Sequence, residues 1–115
     1  MMKILIITND PPYGTERSYN ALRIALELVK RDEVEVRVFL LADAVFCGIR
    51  GQTTPDGYYN TEQMLKGLRR AQIKACGGCM EARGLTQEDL LAEIVPSNMA
   101  ELGDWITTSD KIISL

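Results

Sequence analysis

Lys3-Ile4-Leu5-Ile6-Ile7-Thr8 holds an unbroken apolar run rich in β-branched residues, and it stops at Asn9-Asp10-Pro11-Pro12. A run of this kind reads as a strand buried on both faces, the pattern of a parallel sheet covered by helices. Two prolines and Gly14 forbid regular structure, so the chain turns over 9–14. Thr15 is positioned to cap a helix with Glu16 in its first turn. Leu22, Ala25, Leu26 and Val29 then recur at helical spacing, and Lys30-Arg31 close the last turn, where cations are favoured.

The rest of the chain repeats this alternation. Val34 to Leu41 starts as an alternating pattern and becomes solidly apolar, a second strand. Ala44-Val45-Phe46-Cys47 suggests a helical turn, and 51–57 a loop. Asn60 with Gln63 resembles a capping box, opening a helix through Met64, Leu65, Leu68 and Ala71. Ile73 to Cys76 is a short strand, Thr86 begins a brief helix through Leu90 and Leu91, and Ile94-Val95 is a strand broken by Pro96. Ser97 caps a helix holding Met99, Leu102 and Trp105-Ile106, and Lys111 to Leu115 closes the chain as a strand. Strands alternating with helices predict a three-layer α/β sandwich with a mainly parallel sheet, spanning 1–115 as one domain. Right-handed crossovers put the carboxyl ends of parallel strands on one edge, where ligands and reactive groups gather. Segments 9–14, 42–52 and 76–79 should share that rim, so that Cys47 could approach Cys76.

Composition narrows the function. A chain of 115 residues, 46% hydrophobic and 25% charged, has the balance of a folded globular protein. Its formal charge of −3 argues against a nucleic-acid partner, since phosphate binding needs a basic face. No apolar stretch is long enough for a bilayer and no secretory leader opens the chain, so the expectation is a cytoplasmic protein without a membrane partner. Three cysteines, an odd number, fit that compartment better than a disulfide framework does. Histidine is absent, which removes the commonest general base and the commonest metal ligand.

Sulfur is therefore the expected centre of any chemistry. Cys76-Gly77-Gly78-Cys79 places two thiols three positions apart, where a strand gives way to a new turn. A helix starting there would aim its first N–H groups at Cys76, a field that favours thiolate over thiol. The two glycines leave room for a partner sulfur and give the backbone freedom to bring the thiols within disulfide reach. Four readings stay open for this pair. Zinc would need all three thiols plus a carboxylate or a second subunit's ligands. A thioredoxin-like dithiol has the right strand–C-x-x-C–helix context but not the opening topology. A sulfur carrier would hold a sulfane sulfur on one thiolate and pass it on by exchange. Plain packing of small buried cysteines is the fourth, and it is the leading one for Cys47.

The other candidates are weaker. Gly77 and Gly78 offer N–H groups to an anion, yet no nucleotide-binding glycine pattern exists and no cofactor is expected. Asp10, Asp43 and Asp56 stand one to a loop. Tyr13-Gly14-Thr15 reads as turn and cap near the site, and Arg83-Gly84 as a helix end with glycine in the left-handed position.

Taken together, these residues resemble the DsrE family of small sulfur-relay proteins over nearly the whole chain. The resemblance rests on Pro12-Tyr13-Gly14-Thr15 after the first strand, Val45-Phe46 after the second, and the cysteine segment ending Arg83-Gly84. Ser97-Asn98-Met99 and Ser109-Asp110-Lys111 before the last strand complete it. In relay members the sulfur-accepting cysteine precedes the glycine of the Arg-Gly pair by eight positions, which is Cys76 here. Cys79 stands where those members usually have alanine, and resembles a dithiol version of small stand-alone relatives. The resemblance implies a five-stranded parallel sheet, homotrimers or homohexamers, and sulfur transfer between donor and acceptor partners. The competing reading is a non-catalytic oligomeric binding module whose cysteines are structural or bind a metal. Oligomerisation is also expected because a short chain buries a modest fraction of its surface and Ala44-Val45-Phe46 needs cover.

Overall fold

The computed structural model describes residues 1–115. β1 (Met2–Thr8), β2 (Val34–Leu40), β3 (Gln72–Cys76), β4 (Ile94–Ser97) and β5 (Lys111–Ser114) form one sheet of order β4-β3-β2-β1-β5. Every neighbouring pair is parallel. In β1, Ile4 through Thr8 are all buried, as the apolar run predicts for a central strand covered on both sides. The helices are α1 (Arg17–Leu28), α2 (Thr61–Lys66), α3 (Gly77–Ala82) and α4 (Met99–Thr107), with 3-10 turns at Ala42–Gly48 and Gln87–Asp89.

Two unequal cores flank the sheet. The larger one gathers Ile4, Ile6, Val36, Val38 and Leu40 under residues of α1, α2 and the 42–48 turn. The smaller holds Leu5, Ile7 and Phe39 under Leu102 and Trp105 of α4. Alternate residues of one strand thus serve opposite cores, the period of two of a pleated strand. α4 alone covers the second face as it carries the chain from the β4 edge back to the β5 edge. A lateral move in one direction with helices on one face, and the return with a helix on the other, keeps every crossover of the same hand.

Local details depart from the sequence reading at several helix ends. Glu16, not Thr15, precedes α1 and makes no side-chain cap; the Thr15 hydroxyl instead donates to Asp10 at 2.8 Å. Lys30 and Arg31 lie beyond α1, although Arg31 still reaches the Glu27 carbonyl at 3.0 Å and so serves the helix end. Asn60 does cap α2, accepting from the Gln63 N–H at 3.1 Å, but the helix ends at Lys66, before Leu68 and Ala71. Leu90 and Leu91 likewise fall outside the turn at Gln87–Asp89. β4 runs through Pro96 instead of stopping there. It is an edge strand, paired only with β3, and an edge tolerates the missing N–H. The α4 cap is Asn98, whose side chain accepts from the Glu101 N–H at 2.9 Å, while Ser97 donates to the Glu101 carboxylate. Ala44 and Val45 are fully buried within the chain itself, so only Phe46 of that stretch is left partly exposed. The case for oligomerisation from an uncovered Ala44-Val45-Phe46 therefore falls.

Candidate functional site

The dithiol sits at the carboxyl edge of the sheet, where β3 ends and α3 begins. Cys76 is the last residue of β3 and the cap of α3, with the β-region dihedrals φ −62° and ψ 113°. Its sulfur accepts the N–H of Cys79 at 3.2 Å, occupying the place a serine or aspartate oxygen usually takes at a helix start. Packing favours glycine at 77: a Cβ there would lie 3.0 Å from the Ser97 carbonyl oxygen of β4, a tight contact. At 78 nothing lies within 4 Å of such a Cβ, so this is the open side of the pair.

Cys76 and Cys79 are both half-buried free thiols, and they lean on different cores. Cys76 packs beside the smaller core with Leu41, and Cys79 beside the larger one. The Cys79 sulfur accepts the N–H of Ala42 at 3.3 Å. Ala42 has φ 50°, making it the one non-glycine residue of the chain in the left-handed region. Arg83, one turn past Cys79, donates from Nη1 to the Cys79 carbonyl at 3.0 Å and from Nε to Asp43 at 2.8 Å. The corner after β2 is thereby tied to both ends of this turn of α3.

The expectation of a depressed Cys76 pKa is not met. Burial holds the Cys76 thiol above the ordinary cysteine range, and the neighbouring Cys79 thiol adds to this through its side-chain hydrogen bond and its charge. The N–H groups of Cys79 and Gly78 pull the other way and do not win. A six-residue helix supplies little dipole, and a second ionisable sulfur beside the first opposes the charge that the helix favours.

Cys47 shares the rim segment but not the reaction space. It is fully buried in the larger core, and burial pushes its thiol up to about 12. No three cysteine, aspartate or glutamate side chains converge as a group able to hold a metal ion. Tyr13 is a brace: its hydroxyl donates to the Gln52 side chain and accepts the Thr61 N–H at 3.1 Å. Gln52, which sequence reasoning left inside a loop, turns out to be a hub. Its amide donates to the carbonyls of Cys47 at 2.9 Å and Ile49 at 3.0 Å, and its backbone N–H donates to Glu62 at 2.9 Å. Pro11, Pro12, Tyr13, Phe46, Ile49 and Gln52 line an apolar cavity of about 340 Å³, framed by the segments that follow β1 and β2.

The sequence places segment 42–52 on this rim and Asp43 in its loop, but not the contacts that Ala42, Asp43 and Gln52 make there. A lysine or arginine near a helix end was readable at Arg83, but nothing local foretells its aspartate partner 40 positions away. An alanine held at positive φ leaves no sequence signal at all.

Known proteins bear on this geometry. The chain is 36% identical over 117 residues to YchN of Escherichia coli, with 99% of each chain covered. The crystal structure of YchN superposes with a TM-score of 0.93 over the whole of both chains. A protein of Methanopyrus kandleri, MK0008, is 40% identical over 112 residues, covering 96% of this chain and 91% of its own. The intracellular sulfur oxidation protein DsrF of Allochromatium vinosum is 32% identical over 93 residues, covering 77% of this chain and 68% of its own. A family model described as DsrE/DsrF-like matches residues 2–115, and with these relatives it assigns the chain to the DsrE/DsrF-like family.

Proposed function

We propose that this protein is a sulfur-relay carrier, a single DsrE-like domain in which Cys76 accepts a sulfane sulfur as a persulfide and passes it to an acceptor thiol. The observation that carries the reading is the placing of a half-buried cysteine at the end of β3, on the edge of a parallel sheet, with a second thiol next to it and an open Gly78 beside it. Family membership and the similarity to an intracellular sulfur oxidation protein support the same chemistry.

The steps balance without a cofactor. The Cys76 thiolate attacks the outer sulfur of a donor persulfide, R–S–SH; a new S–S bond forms, and R–S⁻ departs with the electrons of the broken bond. An acceptor thiolate then attacks the outer sulfur of the Cys76 persulfide, taking it away and restoring the Cys76 thiolate. Cys79 is the second thiol of the site: by attacking the inner sulfur it closes a Cys76–Cys79 disulfide and expels hydrosulfide. Because burial and Cys79 hold the Cys76 pKa up, the thiolate fraction, and with it the loading rate, should still be climbing as pH passes 9. A cytoplasmic setting and a homotrimeric or homohexameric state belong to this reading; Met99 and Ile106, exposed on α4, supply apolar surface for contact between copies.

Incubating the reduced protein with polysulfide or thiosulfate and mapping added sulfur by mass spectrometry tests the reading. The wild type and Cys79→Ser should gain sulfur on the Cys76 peptide, and Cys76→Ser should not. Equal loading of Cys76→Ser rejects the carrier role. Failure of the wild type to load with either donor favours a binding module whose cysteines are structural.

A further inference from the structure

The geometry points to a seat for the Cys79 sulfur, built from the Ala42 N–H and the Asp43–Arg83 pair, that restrains Cys79 from attacking a sulfur atom carried on Cys76. The inference rests on the sulfur-relay reading and adds a control to it: the seat sets how a loaded Cys76 divides between handing its sulfur on and collapsing to the internal disulfide.

Three observations meet at this sulfur. Ala42 is held at φ 50°, where a residue with a Cβ persists only if its surroundings demand it. The N–H that this conformation aims reaches the Cys79 sulfur at 3.3 Å. Arg83 then grips both sides of that contact, with Nη1 on the Cys79 carbonyl at 3.0 Å and Nε on the Asp43 carboxylate at 2.8 Å. The same guanidinium therefore ties the residue after Ala42 to the backbone of Cys79. Cys79 also packs toward the larger core and Cys76 toward the smaller, so the two residues lean on different cores.

Resolution of a persulfide requires the Cys79 sulfur to line up behind the inner sulfur of Cys76–S–SH. The Cys76–Cys79 bond forms, the S–SH bond breaks, and hydrosulfide leaves with the bonding pair. A sulfur kept at the Ala42 N–H must surrender that contact first. The seat thus works as a brake, and a carrier needs one: a neighbouring thiol at high effective concentration would otherwise discharge the cargo before an acceptor arrives. Arg83 and Asp43 are positioning residues in this scheme, acting through Cys79 without touching the transferred sulfur.

The test uses a chromogenic aryl disulfide, 5,5′-dithiobis(2-nitrobenzoate), in place of sulfane sulfur. Its first thionitrobenzoate is released as Cys76 is captured, and its second as Cys79 attacks the resulting mixed disulfide. Asp43→Asn and Arg83→Met should each speed the second phase relative to the first by about twofold to fivefold, the range for losing a half-exposed ion pair. Asp43→Glu, which keeps the carboxylate, should restore the slow second phase. In a Cys79→Ser background the second phase should vanish, and the Asp43 substitution should have no further effect. An unchanged or slower second phase in both variants overturns the brake, and so does first capture on Cys79 found by peptide mass. Because this assay needs no sulfane sulfur, a brake that appears here while polysulfide fails to load Cys76 would count against the relay reading alone.

Discussion

Cys47→Ala reads out the buried thiol against pH. Cys47 is fully buried, and its thiol is pushed up to about 12 from an ordinary value of 9.0. The unfolded chain lets the same thiol ionise near its ordinary value. An acid whose folded pKa lies above its unfolded pKa contributes its full stability below the unfolded value. As pH rises past that point the unfolded state sheds a proton that the folded state retains, so stability is lost through the window from about 9 to about 12. The loss approaches about 1.4 kcal/mol per pH unit, accumulating to between about 1 and 2 kcal/mol by pH 10 and to about 3 kcal/mol by pH 11. At neutral pH, truncation to alanine removes one buried heavy atom and costs on the order of 1 kcal/mol. The wild type should therefore be the more stable protein at pH 7, the two should match near pH 10, and the variant should lead at pH 11. Urea unfolding of both proteins at stepped pH, with a phosphine reductant present, measures the difference; all other titrating groups are common to the pair and cancel. A stability difference that stays constant from pH 8 to pH 11 would refute the assignment of Cys47 as a buried, protonated thiol.

Cys79→Ala should lower the pKa of Cys76, because it removes the thiol whose hydrogen bond and charge oppose Cys76 ionisation while leaving the N–H at 3.2 Å in place. The inflection of iodoacetamide alkylation against pH then moves down; an upward shift contradicts the electrostatic account. Gly77→Ala should destabilise the fold by about 1–3 kcal/mol, since its Cβ meets a backbone carbonyl that cannot swing aside. Gly78→Ala meets nothing and, in a helical first turn, should be neutral or stabilising by up to about 1 kcal/mol; thermal melts that rank the two the other way refute this. Light scattering at micromolar concentration should report an assembly larger than a monomer, and a purely monomeric profile would reject the trimer or hexamer.

The parts of this protein that local chemistry controls were legible in order along the chain. The buried central strand at Ile4 to Thr8, the Asn60 cap, the left-handed glycine at 84 and the Cys76 helix start all follow from side-chain periodicity and backbone preference within a few residues. Where two neighbours offered the same chemistry, the reading slipped by one, as with Ser97 for Asn98, while at α1 Thr15 was drawn to Asp10 and left the helix start without a side-chain cap. Those choices turn on a single pair of dihedrals. Pro96 misled because a proline ends a central strand but not an edge one, and edge status belongs to the sheet order, not to the segment.

By itself, then, the sequence determined an alternating parallel α/β fold and a dithiol at the end of its third strand, because strand, turn and cap preferences act over a handful of residues. Only the tertiary structure decided the electrostatics and the contacts of that dithiol. Placing β2 beside β3 brings Ala42 and Asp43 against Cys79 and Arg83 across gaps of 37 and 40 positions. Burial in two separate cores then sets Cys47 apart as a protonated thiol and turns the expected Cys76 thiolate into a thiol with a raised pKa. Desolvation depends on everything that packs around a group, and a chain read one neighbour at a time does not contain it.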